Sequence, residues 1–316
     1  VKDPTEISVV IGRDVEPDRL DRLVAHLGKV SRREARLFIA QGAAFVDGKE
    51  ARIYSRDVRA GALFTLKLTM SVTAKAAPAL RQDPRILYCD RYLVVVDKPA
   101  GLLSERDRFG SPAVESVLPG ILRRLGERHD EVRLVHRLDA GTSGVLVLAR
   151  TPMAATVLGN AFASHLTKKS YLALCVGLLR RGRTIDAPIG RQQGTRHAVD
   201  LSGKPASTHV EPLATSDGTS LVLAEPKTGR THQIRVHLSH IGHPLLGDRL
   251  YGGPGYTAET PPAPIARPML HAARLWLPHP KTGEALVVRV PPPEDFEMLA
   301  RSLSVWTDLT ELCGRR

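Results

Sequence analysis

Residues 71–85, SVTAKAAPALRQDPR, constrain the fold more than any other stretch of this 316-residue chain. Alanine and proline recur there and no apolar period of 2 or 3.6 runs through it, so it reads as a linker. A chain interrupted in this way closes around two cores, not one. The expected plan is an N-terminal tail over 1–14, a small unit over 15–70, the linker, and a large unit over 86–316. Hydrophobic residues make up 42% and charged residues 25%, shares typical of globular proteins, which excludes a disordered or fibrous chain. No run of about 18 apolar residues exists, so no membrane span is expected. Lys2, Asp3, Glu6, Arg13 and Asp14 interrupt any secretory apolar run. Cys89, Cys175 and Cys313 form no C-x-x-C pair, hence neither a disulfide framework nor a thiolate zinc site. The expected compartment is the cytoplasm.

In the small unit Leu20, Leu23, Val24 and Leu27 recur at i, i+3, i+4 and i+7, with Gly28 placed for a left-handed helix cap. Ser31 and Glu34 form a capping box that opens a second helix ending near Gly42. AAFVDGKEARI reads as strand, Asp47-Gly48 turn and strand, with a third strand over Ala62–Leu68. Lys29, Arg32, Arg33 and Arg36 gather on the second helix and its approach. The whole chain is basic as well: 45 Lys and Arg against 33 Asp and Glu give +12, with a pI near 9.9. Such an excess attracts polyanions, although a surface built only for solubility would look the same. Aromatic content of 4% argues against a broad stacking platform for single strands.

In the large unit ILYCDRYLVVVDKPAG, VRLVHRLDAGTSGVLVLAR and SYLALCVG are rich in strand signals. Thr151-Pro152 opens a helix as N-cap and first residue, with Val157, Leu158, Phe162 and Leu166 expected to face inward. The tetrapeptide Pro-Lys-Thr-Gly occurs at 226–229 and at 280–283, and both copies read as polar turns. Many strands and few helices, without regular alternation, predict an α+β unit. Its large mixed sheet would be mostly antiparallel, with flanking helices.

Two segments carry candidate chemistry. Asp139 stands among small residues in the loop HRLDAGTSG between two apolar runs, where a carboxylate is accessible, although an Asx-turn would use the same residue. Ser143 lacks G-x-S-x-G spacing, which argues against a serine hydrolase. In TGRTHQIRVHL, Thr231 is a candidate N-cap for a helix whose Ile234, Leu238 and Ile241 face the core. Arg235 then sits one position off that stripe, its guanidinium able to reach a neighbouring loop. His232, His237, His240 and His243 miss the H-E-x-x-H spacing, so no metal is expected.

Two resemblances follow from these residues. Two short helices, the second basic, followed by a hairpin with Val-Asp-Gly-Lys resemble the S-four-type RNA-binding domain, a small α/β module that docks its helices on structured RNA. HRLDAGTSGVLVLAR, TKKSYLALCVG, TGRTHQIRVHLSHIGHPLLGDRLYG and MLHAARLWLPHPKTGE, with ILYCDRYLVVVDKPAGLL before them, resemble in order and spacing the blocks of the RluA-like pseudouridine synthases. That resemblance implies isomerisation of uridine to pseudouridine in RNA, with RNA as partner, no cofactor and no metal. It assigns Asp139 as the catalytic aspartate, Arg235 as its cationic partner and Tyr171 as the tyrosine stacked on the target ring. Whether Asp139 attacks the ribose, adds to the ring or removes the ribose 2′ proton is left open. Arg137 is implied to fill the gap left by an extruded base, Arg230 to contact RNA, and His136 to brace the loop on the RNA side. Leu270 and Leu275 are expected to wall the uracil pocket. Ala140-Gly141 and the Ser104-Glu105-Arg106-Asp107 turn depart from the family pattern and bear on substrate choice. Alternatives from other classes are a noncatalytic RNA-binding or ribosome-assembly factor and a hydrolytic nucleoside glycosylase. Ribosomal RNA is favoured over tRNA as target, and nothing in the sequence demands more than a monomer.

Overall fold

The computed structural model describes residues 6–28, 30, 35, 38–39, 42–51, 56–67, 83–107, 110–192, 194, 196–216, 218–253, 265 and 267–313. It divides into two units, Val1–Ala79 and Leu80–Arg316. Lys29, Arg32, Arg33 and Arg36, the Ser31–Glu34 capping box and most of the linker lie outside the described residues.

The small unit contains β1 (Glu6–Val10), β2 (Asp18–Arg19), α1 (Leu20–Leu27), β3 (Ala44–Val46), β4 (Lys49–Glu50), β5 (Asp57–Val58) and β6 (Leu63–Lys67). Four of these strands form an antiparallel sheet in the order β1-β6-β3-β4. The segment expected as a tail therefore supplies an edge strand: Glu6–Val10 pairs residue by residue with Leu63–Lys67. Leu20, Leu23 and Val24 of α1 close over Ile39, Phe64 and Leu66, all within 2% of full burial. The Asp47-Gly48 turn has positive φ at both residues, the backbone that a tight two-residue hairpin demands, and Asp47 Oδ1 accepts the Leu63 N–H at 2.9 Å. Gly28 ends α1 in a right-handed conformation (φ −78°), not the left-handed one expected.

The large unit is built on a ten-stranded sheet. Its strands are β7 (Arg85–Cys89), β8 (Leu93–Lys98), β9 (Arg133–Leu134), β10 (Ser143–Ala149), β11 (Lys168–Val176), β12 (Arg183–Asp186), β15 (Ser207–Ser216), β16 (Thr219–Pro226), β17 (Leu270–Pro278) and β18 (Ala285–Arg289). A separate hairpin joins β13 (Ile189–Arg191) to β14 (His197–Val199). The main order is β12-β15-β16-β11-β17-β10-β8-β7, antiparallel except where β10 meets β17, so the expected mixed, mostly antiparallel sheet is present. Helices α2 (Val114–Arg124), α3 (Pro152–Ala163), α4 (Gln233–His240), α5 (Glu294–Ser302) and α6 (Thr310–Cys313) flank it. The continuous apolar run of β8 has a simple cause: the sheet is covered on both faces. Leu93 and Val95 pack with Ala154 and Leu158 of α3, and Val94 and Val96 with Val114, Leu118 and Leu122 of α2.

The Thr151 hydroxyl caps α3 by accepting the Ala154 N–H at 3.1 Å, as expected. The inward stripe is Ala154, Leu158 and Ala161, and it excludes Val157, which is exposed; Leu166, 60% exposed, lies beyond the helix end.

The parallel contact of β10 with β17 spans only Ser143↔His271 and Gly144↔Ala272, after which β17 pairs with β18 and β10 with β9. At that vertex Gly144 has φ +112°, and a Cβ there would stand 2.2 Å from the Ala272 carbonyl oxygen. Only glycine fits. The vertex fixes where the chain leaves the Asp139 loop.

Candidate active site

The loop that carries Asp139 is tied down carbonyl by carbonyl. Ser104, fully inside, accepts the Leu138 N–H at 3.0 Å and donates to the Leu138 carbonyl at 2.9 Å. Thr142 N–H closes the turn on the Asp139 carbonyl at 3.0 Å. The Ala140 carbonyl receives Gly101 N–H at 2.7 Å and the Lys98 ammonium at 3.3 Å, while Lys98 also donates to Pro99 and Leu102. Arg267 donates to the Gly141 carbonyl at 3.2 Å and is itself held by Asp295 at 2.6 and 2.8 Å. Burial pushes Lys98 down to about 7, with Arg267 adding to the fall and Asp139 and Asp97 opposing it. Lys98 and Arg267 thus fix the carbonyls of Ala140 and Gly141.

Ser143 and His271, partners across the sheet vertex, are buried side by side with Oγ 3.0 Å from Nδ1. His271 Nε2–H donates to the Val290 carbonyl, so Nδ1 accepts the serine proton, and burial pushes the imidazole down to about 4. The pair is sealed inside the sheet and reaches no ligand, which removes the serine hydrolase on geometric grounds.

Helix α4 brings the second half of the site. Its N-cap is His232, in the left-handed conformation (φ 58°), rather than Thr231. The reason is Gln233: its Oε1 accepts the Arg230 N–H at 3.0 Å and the Thr228 hydroxyl at 2.6 Å, and its Nε2 donates to Ser207 and Thr208. These four bonds fix the entry to the helix, and no side chain among the described residues accepts an N–H of its first turn. Two residues later Arg235 projects to the Asp139 loop. Its Nη1 donates to Asp139 Oδ2 at 3.1 Å, its Nε and Nη2 grip Asp248 at 2.6 and 2.9 Å, and its guanidinium lies 5.0 Å from the Tyr251 ring centre. Burial works against the Arg235 charge, and Asp248 and then Asp139 outweigh it, raising its pKa.

Asp139, Tyr171, Arg235 and Leu270 line one cavity of about 530 Å³, together with His136, Arg137, Arg230, His232 and Lys169. Asp139 Oδ2 carries the bond to Arg235, while Oδ1 has no partner among the described residues. Tyr171 enters from β11 just after a register shift between Ser170 and Tyr171, a local irregularity of the kind that re-aims a side chain. Burial, and then the charge of Asp139, push its phenol above the ordinary value, so it stays a neutral ring at any working pH. Leu275 is not part of this wall. It packs with Leu93, Val147 and Leu158, because it lies an odd number of residues from Leu270 along β17 and faces the other side of the sheet. His136 braces the loop: its Nε2 accepts the Val147 N–H at 3.0 Å and its ring stacks on Phe162 at 4.4 Å. Burial, with Lys169 adding, pushes it down to about 3 and keeps it neutral. Arg137 is exposed at the rim and pairs with Glu105 at 3.4 Å, and Arg230 is anchored to the Pro205 carbonyl.

Of the four histidines considered as metal ligands, His237 bonds Thr208 and the Ala187 carbonyl, His243 the Val176 carbonyl, and His232 faces Asp139; among the described residues no set of three ligands converges. Residues 18–63 match the S4 domain model and residues 92–240 the RNA pseudouridylate synthase model. A ribosomal large subunit pseudouridine synthase D of Xanthomonas campestris is 36% identical over 90% of this chain and 88% of its own length. The chain belongs to the RNA pseudouridine synthase family. The protein is therefore an isomerase joined to an RNA-binding S4 domain. A Nitrosomonas europaea protein of the same name is 39% identical over 69% of this chain and 65% of its own length. The structure of human RNA pseudouridylate synthase domain containing 4, 27% identical, superposes with a TM-score of 0.58 over 71% of this chain and 94% of that one. Sequence reasoning passed over Asp248, Tyr251, Lys98 and Arg267. An acid inside the apolar run LLGDRLYG was the available signal for the first of these.

Proposed function

We propose that this pseudouridine synthase acts on uridine in ribosomal RNA, with Asp139 as the reacting carboxylate on a base drawn out of its stack. The observation that carries the reading is the Asp139–Arg235 pair at 3.1 Å inside a cavity whose other wall is Tyr171 and Leu270. The reaction breaks the bond from ribose C1′ to uracil N1, turns the ring, and joins C1′ to C5. The C5 proton leaves to solvent and N1 gains one. A carboxylate that can bind and leave divides this into easier steps, and Arg235 holds it in place through the bond to Oδ2. Tyr171 offers a neutral ring face to the turning uracil. Arg137, exposed two residues before Asp139, fills the position the base vacates, at an unstacking cost of roughly a few kcal/mol. Arg230 and the small unit add RNA contacts. The names of the relatives support large-subunit ribosomal RNA as target. The protein works in the cytoplasm as a monomer.

The test is tritium release from a large-subunit ribosomal RNA transcript labelled at uracil C5. Asp139→Asn is expected to abolish release while retaining RNA binding. Full activity in that variant overturns the role of Asp139, and free uracil among the products would make the protein a glycosylase.

A further inference from the structure

The imidazole of His232 reaches the same carboxylate from the side opposite to Arg235, and its protonation state can be worked out from its neighbours. The backbone N–H of His197, in β14, donates to the Tyr251 hydroxyl oxygen at 3.1 Å. Tyr251 is 6% exposed, and its hydroxyl lies 2.7 Å from His232 Nδ1. A buried hydroxyl that already accepts one bond keeps its proton paired by donating, so Tyr251 gives its proton to Nδ1. The ring proton of His232 is then on Nε2, and Nε2 lies 3.8 Å from Asp139 Oδ2. That is an electrostatic contact rather than a hydrogen bond. Arg235 and His232 therefore converge on Oδ2, which leaves Oδ1 to the cavity.

We propose that His232 is a positioning residue for Asp139: a neutral imidazole, its tautomer set by Tyr251 and His197, that holds Oδ2 so that Oδ1 is the oxygen presented to uridine. The left-handed backbone at His232 supports this, because a φ of 58° at a non-glycine residue is uncommon and here turns the ring out of the helix toward the loop. The charged and titratable groups around the ring among the described residues are Asp139, Arg235, His197, Asp248 and Tyr251. Burial lowers the His232 pKa; Asp139 and Asp248 oppose the fall, and Arg235 and His197 add to it. A second proton would have to go on Nδ1, against the Tyr251 hydroxyl. Acid therefore both breaks the relay and puts a new positive charge beside the carboxylate.

This inference rests on Asp139 being the reacting group, and the experiment separates the two. Single-turnover tritium release from the same labelled transcript is measured between pH 5 and 8 for the wild type, Asp139→Asn, His232→Gln and Tyr251→Phe, with RNA affinity measured in parallel. His232→Gln is expected to slow the reaction about tenfold without changing RNA affinity, and to lose the acid limb of the pH profile. Tyr251→Phe, in which Nδ1 has lost its donor and accepts a proton more readily, is expected to move that limb to higher pH. A wild-type rate in His232→Gln, or an acid limb unmoved in both variants, overturns the assignment. Should His232→Gln fail to fold, the Tyr251→Phe profile decides alone. An active Asp139→Asn would instead sink the reading on which the inference stands.

Discussion

In the small unit Leu20, Leu23, Val24, Ile39, Phe64 and Leu66 fill the interior, and Asp21, paired with Arg19, is the one charged side chain buried among the described residues. In the large unit Lys98, Arg150, Arg235, Asp248, Arg267 and the imidazoles of His237 and His271 are all buried. Three of these, Lys98, Arg235 and Arg267, bond directly to residues 139–141. The contrast separates two uses of an interior. One is a transfer of apolar surface out of water and needs nothing else. The other places polar and charged groups in a medium that disfavours them, and those at the Asp139 loop are tolerated because they are paired and hydrogen-bonded. The small unit relies mainly on the first, with a single buried carboxylate among the described residues, and the large unit adds the second around the Asp139 loop.

The sharpest way to break this contrast is Arg235→Met. It strands Asp248, 1% exposed, without its cation, and is expected to cost about 3–5 kcal/mol of stability. Pseudouridine formation should be lost as well. Both tryptophans, Trp276 and Trp306, belong to the large unit, so their emission during urea unfolding reports that unit alone. Unchanged stability and activity would mean that the buried charges are idle.

A smaller effect comes from pH. The folded-state pKa of His271 is near 4 and that of an exposed histidine near 6.5. Between those values the unfolded chain binds a proton that the folded chain does not, so stability falls as pH drops through that window. His271 contributes about 1.4 kcal/mol per pH unit there and nothing further below it. His136, likewise held neutral, adds a slope of the same sign. The tryptophan-reported midpoint should fall between pH 7 and pH 5, and His271→Gln should flatten the slope.

The smallest effect sharpens the apolar side of the comparison. Ile39→Val removes one methylene from a fully buried position and is expected to cost about 0.5–1.5 kcal/mol. It should speed β6 amide exchange and leave both the tryptophan midpoint and the rate at saturating RNA unchanged. Slower chemistry at saturating RNA would show that the two interiors are coupled.

What the chain disclosed in advance was whatever depends on near neighbours. Asp47-Gly48 dictates its hairpin, Thr151-Pro152 its helix start, and the apolar run before Asp97 its strand. Asp139, Tyr171 and Arg235 could be named because each sits in a distinctive motif, and they do line one cavity. What escaped depends on distant partners. The strand at 6–10 is short and looks like a tail until Leu63–Lys67 is laid beside it. Leu275 and Leu270 differ only in which face of β17 they occupy. Thr231 is the residue type a helix start favours, yet Gln233 takes over through bonds to residues 207 and 208. The two Pro-Lys-Thr-Gly turns are identical in sequence. One bonds Gln233 at the cavity edge, and the other wraps His279 with the N–H groups of Lys281 and Thr282.

The two-handed grip of Arg235 on Asp248 has a consequence for turnover. Because that pair is complete on its own, the guanidinium does not depend on Asp139 to keep its place. The positive pole is a fixture, present whatever the neighbouring loop does.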